Sequence, residues 1–240
     1  MIELYGSISP NVQKIIIALA ELDLEHRFIS VNVHRGEQLT PEFKALNPAG
    51  KIPVIIDPDG PDGQPITIFE SGAILLYLAE KHGHLLPAGV AARTEAIQWM
   101  MIQMTAVGPT LGQFNHFVRY TDDAYGVERF TTASRKIYDL LEERLGKSAY
   151  LGGQDYSVAD VATYPWIRVE SRLFGETHPV MRIGWEVFPN IARWCHAIEE
   201  RPAVQRALKQ IDAMNYNRGT GSAEQLDELT GRGKFALKLE

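Results

Sequence analysis

The chain has 240 residues, 45% of them hydrophobic, and a formal charge of −6; this allows one large domain or two small ones, at roughly 100–200 residues each, and excludes disorder by composition. The acidic balance and the lack of any Lys/Arg run argue against a nucleic-acid partner. No stretch approaches the ~18 consecutive apolar residues of a membrane helix, and Met1-Ile2-Glu3-Leu4-Tyr5 opens on strand-like residues with no signal core, so the expectation is a cytoplasmic protein with no membrane partner.

Residues 1–5 read as a strand running into the loop of Gly6, Ser7 and Pro10. Val12, Ile15, Ile16, Leu19 and Leu22 follow helical spacing. Ile29, Val31 and Val33 alternate with polar residues, which predicts a second strand. A short helix or turn fits Pro41–Leu46. Ile52-Pro53-Val54-Ile55-Ile56 predicts a strand entered through a proline, and Ile66-Thr67-Ile68-Phe69 its hairpin partner beyond a Pro/Asp/Gly turn cluster. Ser71 then stands as an N-cap before an apolar helix. This β-α-β-(α)-β-β-α order is an α/β sandwich. Residues 83–89 read as a linker, after which only helical periodicity remains, over 92–117, 126–145, 158–173, 191–200 and 202–214. The end, 215–240, is polar and Gly-rich and reads as a tail, docked in part through Phe235, Leu237 and Leu239.

Three features of the first half suit ligand chemistry. The loop Ser7-Ile8-Ser9-Pro10-Asn11 puts hydroxyls and an amide at a helix N-terminus, where free N–H groups and the dipole favour an anion. Lys51-Ile52-Pro53 suits a cis-proline turn that leaves the Ile52 backbone free to pair with an extended peptide. Glu70-Ser71-Gly72, at a strand-to-helix junction, offers a carboxylate for an ammonium and a helix N-terminus for a carboxylate, as the zwitterionic end of an amino acid requires. Taken singly, each also fits a structural role: two helix caps and an ordinary proline at a strand start.

Together and in this order they resemble the glutathione transferase superfamily, over about residues 1–212. In the second half, Leu151-Gly152-Gly153-Gln154-Asp155-Tyr156-Ser157-Val158-Ala159-Asp160 looks like the family signature, with Ser157 and Asp160 forming a Ser-x-x-Asp capping arrangement. Arg201-Pro202-Ala203-Val204 looks like its closing segment. Ser9-Pro10-Asn11, Phe69-Glu70-Ser71-Gly72 and Gly108-Pro109-Thr110-Leu111-Gly112-Gln113 are most similar to the bacterial Nu-class group, which includes glutathione-dependent disulfide-bond oxidoreductases. The resemblance implies a thioredoxin-like domain over 1–83, an all-helical domain over 91–214 and a homodimer. It implies that Asn11, Gln38, Ile52, Pro53, Glu70, Ser71 and Arg129 hold glutathione and that Ser9 and Asn11 stabilise its thiolate. Relatives often carry Thr where this chain has Ser9.

Cys195 is the only cysteine, so a Cys-x-x-Cys redox pair is excluded. Disulfide reduction would then require two bound glutathione molecules, with Arg129, Lys14 or Arg35 facing the second one's carboxylates. The other partner is a small disulfide or a hydrophobic electrophile in a cleft lined by Trp166, Phe117, Met104 and Phe174, each of which also suits a core position. His116 suits either the cleft or a structural bond, and no histidine spacing calls for a metal. Two rival readings are a thioether lyase acting on aromatic conjugates and a non-catalytic glutathione-fold binding module.

Overall fold

The computed structural model describes residues 1–214 and 220–237. Strand β1 (Ile2–Gly6) lies at the centre of a four-stranded sheet in the order β2-β1-β3-β4. It runs parallel to β2 (His26–Ser30) and antiparallel to β3 (Val54–Asp57), which forms an antiparallel hairpin with β4 (Ile66–Phe69). Helix α1 (Pro10–Glu21) crosses between β1 and β2, and α2 (Pro41–Leu46) and α3 (Ser71–His82) complete the sandwich. The second predicted strand is shifted: pairing stops at Gly6 with Ser30, and Val31 turns inward onto Phe43 and Val54 in a small separate core. Val33 belongs to a single 3-10 turn. Packing on that small core, not a ladder, accounts for the apolar Val31.

Gly83, with φ 66°, ends α3 in the left-handed conformation that glycine adopts without steric cost. The helical half comprises α4 (Val90–Ile102), α5 (Gly108–Tyr120), α6 (Ala124–Leu145), α7 (Val158–Phe174), α8 (Pro189–Glu199) and α9 (Pro202–Asp212). Helices α4 and α5 are joined by a π turn over Gln103–Val107. The periodicity read 92–117 as one helix; the π turn inserts a residue and rotates α5 relative to α4 by about 100°, the angle per residue of an α-helix. Gly126 lets α6 approach α5, because a Cβ there would stand 2.1 Å from the Phe117 ring.

One apolar core joins the two halves through α1, which packs against α3, α7 and α9. All residues from Val12 to Leu19 are buried. The segment read as a tail contains a further helix, α10 (Ala223–Thr230), opened by a Ser222/Gln225 capping box. It docks through polar groups: Asn32 Nδ2 donates to Thr220 Oγ1, Gln225 Nε2 to the Arg35 carbonyl, and Arg232 Nη1 to the Tyr120 carbonyl. Phe235 and Leu237 are exposed, so the expected apolar docking through them does not occur; Leu239 lies outside the described residues.

The capping box that opens α7 is fully buried. Asp160 accepts from Ser157 N at 2.9 Å, Leu151 N at 2.8 Å and Trp194 Nε1 at 2.8 Å. Burial pushes its carboxyl up to about 6, opposed by these bonds. Asp160→Ala would leave three buried donors without partners, at about 1–3 kcal/mol each before relaxation. Urea denaturation is expected to give a loss of about 3 kcal/mol or more, whereas Asp139→Ala, in an exposed i,i+4 pair with Arg135, loses about 0.5 kcal/mol or less.

Candidate functional site

The seam between the sheet half and the helical half holds two adjoining cavities of about 360 Å³ each, which share Asn11, Lys51 and Ile52. The outer one is lined by Ser9, Gln38, His34, Arg119, Tyr120 and Leu229 among others. The inner one is lined by Lys14, Pro53, Glu70, Ser71, Gln103 and Trp166 among others. Seven of the eight sequence-predicted site residues therefore fall in one continuous cleft. Arg129 is exposed on α6 and lines neither cavity; the basic residue that α5 and α6 contribute is Arg119. Arg35 is engaged elsewhere, donating from Nε to the Thr220 carbonyl. Of the expected cleft walls, Met104 and Trp166 line the inner cavity. Phe117 is half-buried and stacks on Phe130 at 5.2 Å, and Phe174 is core, buried edge-on against Phe114; neither lines the cleft. His116 packs against Phe117 and Tyr120 at the rim.

Ser9 is the N-cap of α1, its Oγ accepting from Val12 N at 3.3 Å. A hydroxyl that accepts one bond still has its own hydrogen to donate, so the capping role and a ligand role coexist. Asn11, in the first turn, accepts at Oδ1 from Trp166 Nε1 at 3.0 Å. An indole N–H is only a donor, so the atom facing it is the amide oxygen and the remaining capacity of Asn11 is its NH2 group. Trp166, on α7, thus turns Asn11 into a donor for the cleft. Sequence pattern gave no signal of this, because the pair is separated by 155 positions.

Gln38 is buried and its Oε1 has no partner among the described residues. A buried acceptor at a cavity wall is poised for a ligand donor. The Ile52–Pro53 bond is cis, and Asn47 ties down the loop before it, donating to the Lys51 carbonyl at 2.6 Å and accepting from Ala49 N at 3.0 Å. Glu70 has φ 69° and ψ 116°. A non-glycine residue held there costs about 1–3 kcal/mol, a conformation that clusters at ligand sites. Ser71 is not the N-cap but the first residue of α3, and no side chain caps that helix. Its Oγ instead accepts from Lys14 Nζ at 3.1 Å. Lys14 is 1% exposed, and burial brings its ammonium down to about 7, partly offset by Glu70.

A further cavity, about 610 Å³, lies between α7, α8 and α9 and is lined by none of these residues. Cys195 borders it, but burial pushes that thiol far up and leaves it un-ionised. Among the described residues no cluster of His, Cys, Asp or Glu could hold a metal ion, and no helix is long and apolar enough to cross a membrane.

Residues 8–81 match the glutathione S-transferase N-terminal domain and residues 97–202 its C-terminal domain. The chain belongs to the glutathione S-transferase family. It is 39% identical over 211 residues to the disulfide-bond oxidoreductase YfcG of Escherichia coli, covering 87% of this chain and 94% of that protein. A glutathione transferase from Burkholderia graminis, solved with two glutathione molecules bound per subunit, superposes with TM-score 0.80 at 41% identity, covering 88% of each chain. One from Pseudomonas putida, solved with one glutathione disulfide per subunit, gives TM-score 0.79 at 37% identity, covering 87% of this chain and 90% of that one.

The position of the two arginines makes a direct test. Arg119→Ala is expected to weaken glutathione disulfide binding about tenfold, the value of one charge-assisted hydrogen bond. Arg129→Ala is expected to change it less than about twofold, as an exposed charge outside the cleft does. Equilibrium fluorescence titration of both variants measures the difference.

Proposed function

We propose that this chain binds one glutathione with its amino-acid end in the inner cavity and its sulfur at the boundary of the two, where Asn11 stands, and uses a second glutathione, in the outer cavity, to reduce a small disulfide. The observation that carries the reading is the pair of adjoining cavities with Asn11 in the wall of both and Ser9 beside it. The two-molecule and disulfide-bound states of its relatives support it.

Glutathione's amino-acid end suits Glu70 and Ser71, its extended backbone suits Ile52 and Pro53 beside Gln38, and its sulfur suits Ser9 and Asn11. A free thiol ionises near ~8.5. One hydrogen bond to a charged group contributes about 1.5–3 kcal/mol, or about one to two pKa units, so two donors hold the thiolate at neutral pH. No protein base is required, since solvent takes the proton. The thiolate attacks one sulfur of the disulfide substrate, forming a mixed disulfide and expelling one thiolate. The second glutathione thiolate attacks the glutathione sulfur of that mixed disulfide and expels the other. Two glutathione molecules give two electrons and leave as glutathione disulfide, while the substrate leaves as two thiols. Arg119 and Lys51 supply positive charge for the second molecule. Attack of the same thiolate on a carbon electrophile is a lesser transferase activity of this site, aided by the apolar Ile8, Val33 and Leu229. In the same reading residues 1–83 hold glutathione, residues 91–214 complete the cleft, and the protein works as a cytoplasmic homodimer.

Reduction of hydroxyethyl disulfide should exceed conjugation of a chlorodinitrobenzene; the reverse order, or crystals soaked with glutathione that contain one molecule per site, would sink the two-thiol mechanism. Ser9→Ala and Asn11→Ala are each expected to raise the pKa of bound glutathione by about one unit, which lowers the thiolate fraction, and turnover with it, by up to about threefold at pH 7 and by more at pH 6. Ultraviolet thiolate absorbance across a pH series reads the first effect directly. Trp166→Phe keeps the ring but not the N–H, and should produce a smaller shift of the same sign.

A further inference from the structure

Helix α1 is buried along its length, yet it contains a lysine. The three groups that receive Lys14 Nζ are neutral: Ser71 Oγ at 3.1 Å, Gln103 Oε1 at 2.6 Å and Met104 Sδ at 3.6 Å. The charged groups around it are Glu70, before α3, and Lys51, which lines the same cavity from the loop before β3. The π turn contributes only Gln103 and Met104, and α7 contributes Trp166, all neutral. Among the described residues no carboxylate forms an ion pair with Lys14. A buried ammonium without an anion is costly, and a bound anion relieves that cost.

A second observation points to an anionic ligand at the same place. Gln103 is 1% exposed, and its Nε2 has no hydrogen-bond partner among the described residues although the side chain lines the inner cavity. Its Oε1 is fixed by Lys14, so the amide hydrogens are what the cavity receives. Ser71 adds the uncapped start of the twelve-residue α3, with its unpaired N–H groups. An ammonium, an amide NH2 and a helix N-terminus thus surround one volume.

We propose that Lys14 is a positioning residue for the carboxylate of the ligand's amino-acid end, with Gln103 Nε2 as its partner donor, and that ligand binding draws a proton from solvent onto Lys14. This rests on the glutathione reading. It adds two residues from α1 and the helical half to the Glu70–Ser71 junction, and it makes affinity depend on pH without involving the thiol. The sign follows from linkage. Lys14 ionises near 7 in the empty protein, so above that pH it is largely neutral; a bound carboxylate favours the charged form, and binding takes up the proton.

Titration calorimetry with S-methylglutathione, whose sulfur carries no proton, tests this in buffers of different ionisation enthalpy. Close to one proton should be taken up per ligand at pH 8 and nearly none at pH 6, with affinity falling by up to about tenfold per pH unit above 7, the limit for a single proton. Lys14→Met should abolish the uptake at pH 8. Gln103→Leu should weaken binding about fivefold yet keep the uptake, which separates loss of a donor from loss of the titrating group. Wild-type binding without proton uptake at pH 8 overturns the proposal, as does undiminished uptake in Lys14→Met. If the wild-type protein does not bind S-methylglutathione at all, the glutathione reading itself fails, an outcome distinct from binding without a proton. Should Lys14→Met not fold, the wild-type and Gln103→Leu measurements still decide.

Discussion

The burial of α1 on both sides is the constraint on which the rest depends. A helix in the crossover of a parallel strand pair ordinarily covers one face of a sheet and meets water on the other. Here the far face meets α7 and α9, so Val12 to Leu19 have no solvent to turn to. Two consequences follow. The two halves cannot separate without exposing this helix, and any polar residue on it must find a partner across the seam. Lys14 finds Ser71 on one side and Gln103 on the other. At the helix start Asn11 meets Trp166, and at its end Glu21 accepts both arms of Arg201, at 2.7 and 2.8 Å. Arg201 also lies over the Tyr156 ring, 4.0 Å from its centroid. The polar residues of α1 that join it to the helical half thus mark out the cleft at one end and a structural clamp at the other.

The chemistry of the cleft is set by what the chain lacks as much as by what it contains. The one cysteine sits in the helical core with its thiol held un-ionised, so no protein sulfur can serve as an intermediate. The protein's share is then positioning and charge: hydroxyl and amide donors at the start of α1, and cations at the two ends of the cleft. Preorganised donors of this kind act through a fixed geometry rather than through proton transfer. That places a premium on the orientation of Asn11, which a donor-only indole determines.

Much of this was legible in the sequence because local chemistry decided it. Pro41–Leu46, the hairpin of β3 and β4 and the Ser157/Asp160 box each carry their own signal in adjacent residues. The errors fall where distant contacts win. Val31 and Val33 alternate as a strand would, but the ladder ends with Ser30 and packing on Phe43 and Val54 explains Val31. Ser71 has the residue type of an N-cap, yet the hydroxyl goes to a lysine 57 positions away. Arg129 and Arg119 are equally plausible in a row of letters; in the fold Arg119 lines the outer cavity while Arg129 stands exposed on α6. The Ser222/Gln225 box was a readable start for α10. An eight-residue helix is marginal on its own, so its neighbours' composition spoke more loudly for a tail.

The two cavities are consequently built from unlike materials. The inner one is walled by α1, α3, the π turn and α7, which are tied together by the Lys14 bonds to Ser71 and Gln103 and by the Asn11–Trp166 bond. The outer one is closed in part by Leu229 of α10, whose segment is held by a few exposed or part-buried polar contacts. Such contacts break at a lower free energy than a buried core does. A site with one rigid and one yielding compartment suits a reaction in which one reactant is always the same tripeptide and the other varies. The rigid compartment gains by fixing a charged amino-acid end in a single geometry. In the proposed reaction the yielding one accepts a second tripeptide, a disulfide and their joint product in turn, and a wall that docks through a few hydrogen bonds allows that without disturbing α1.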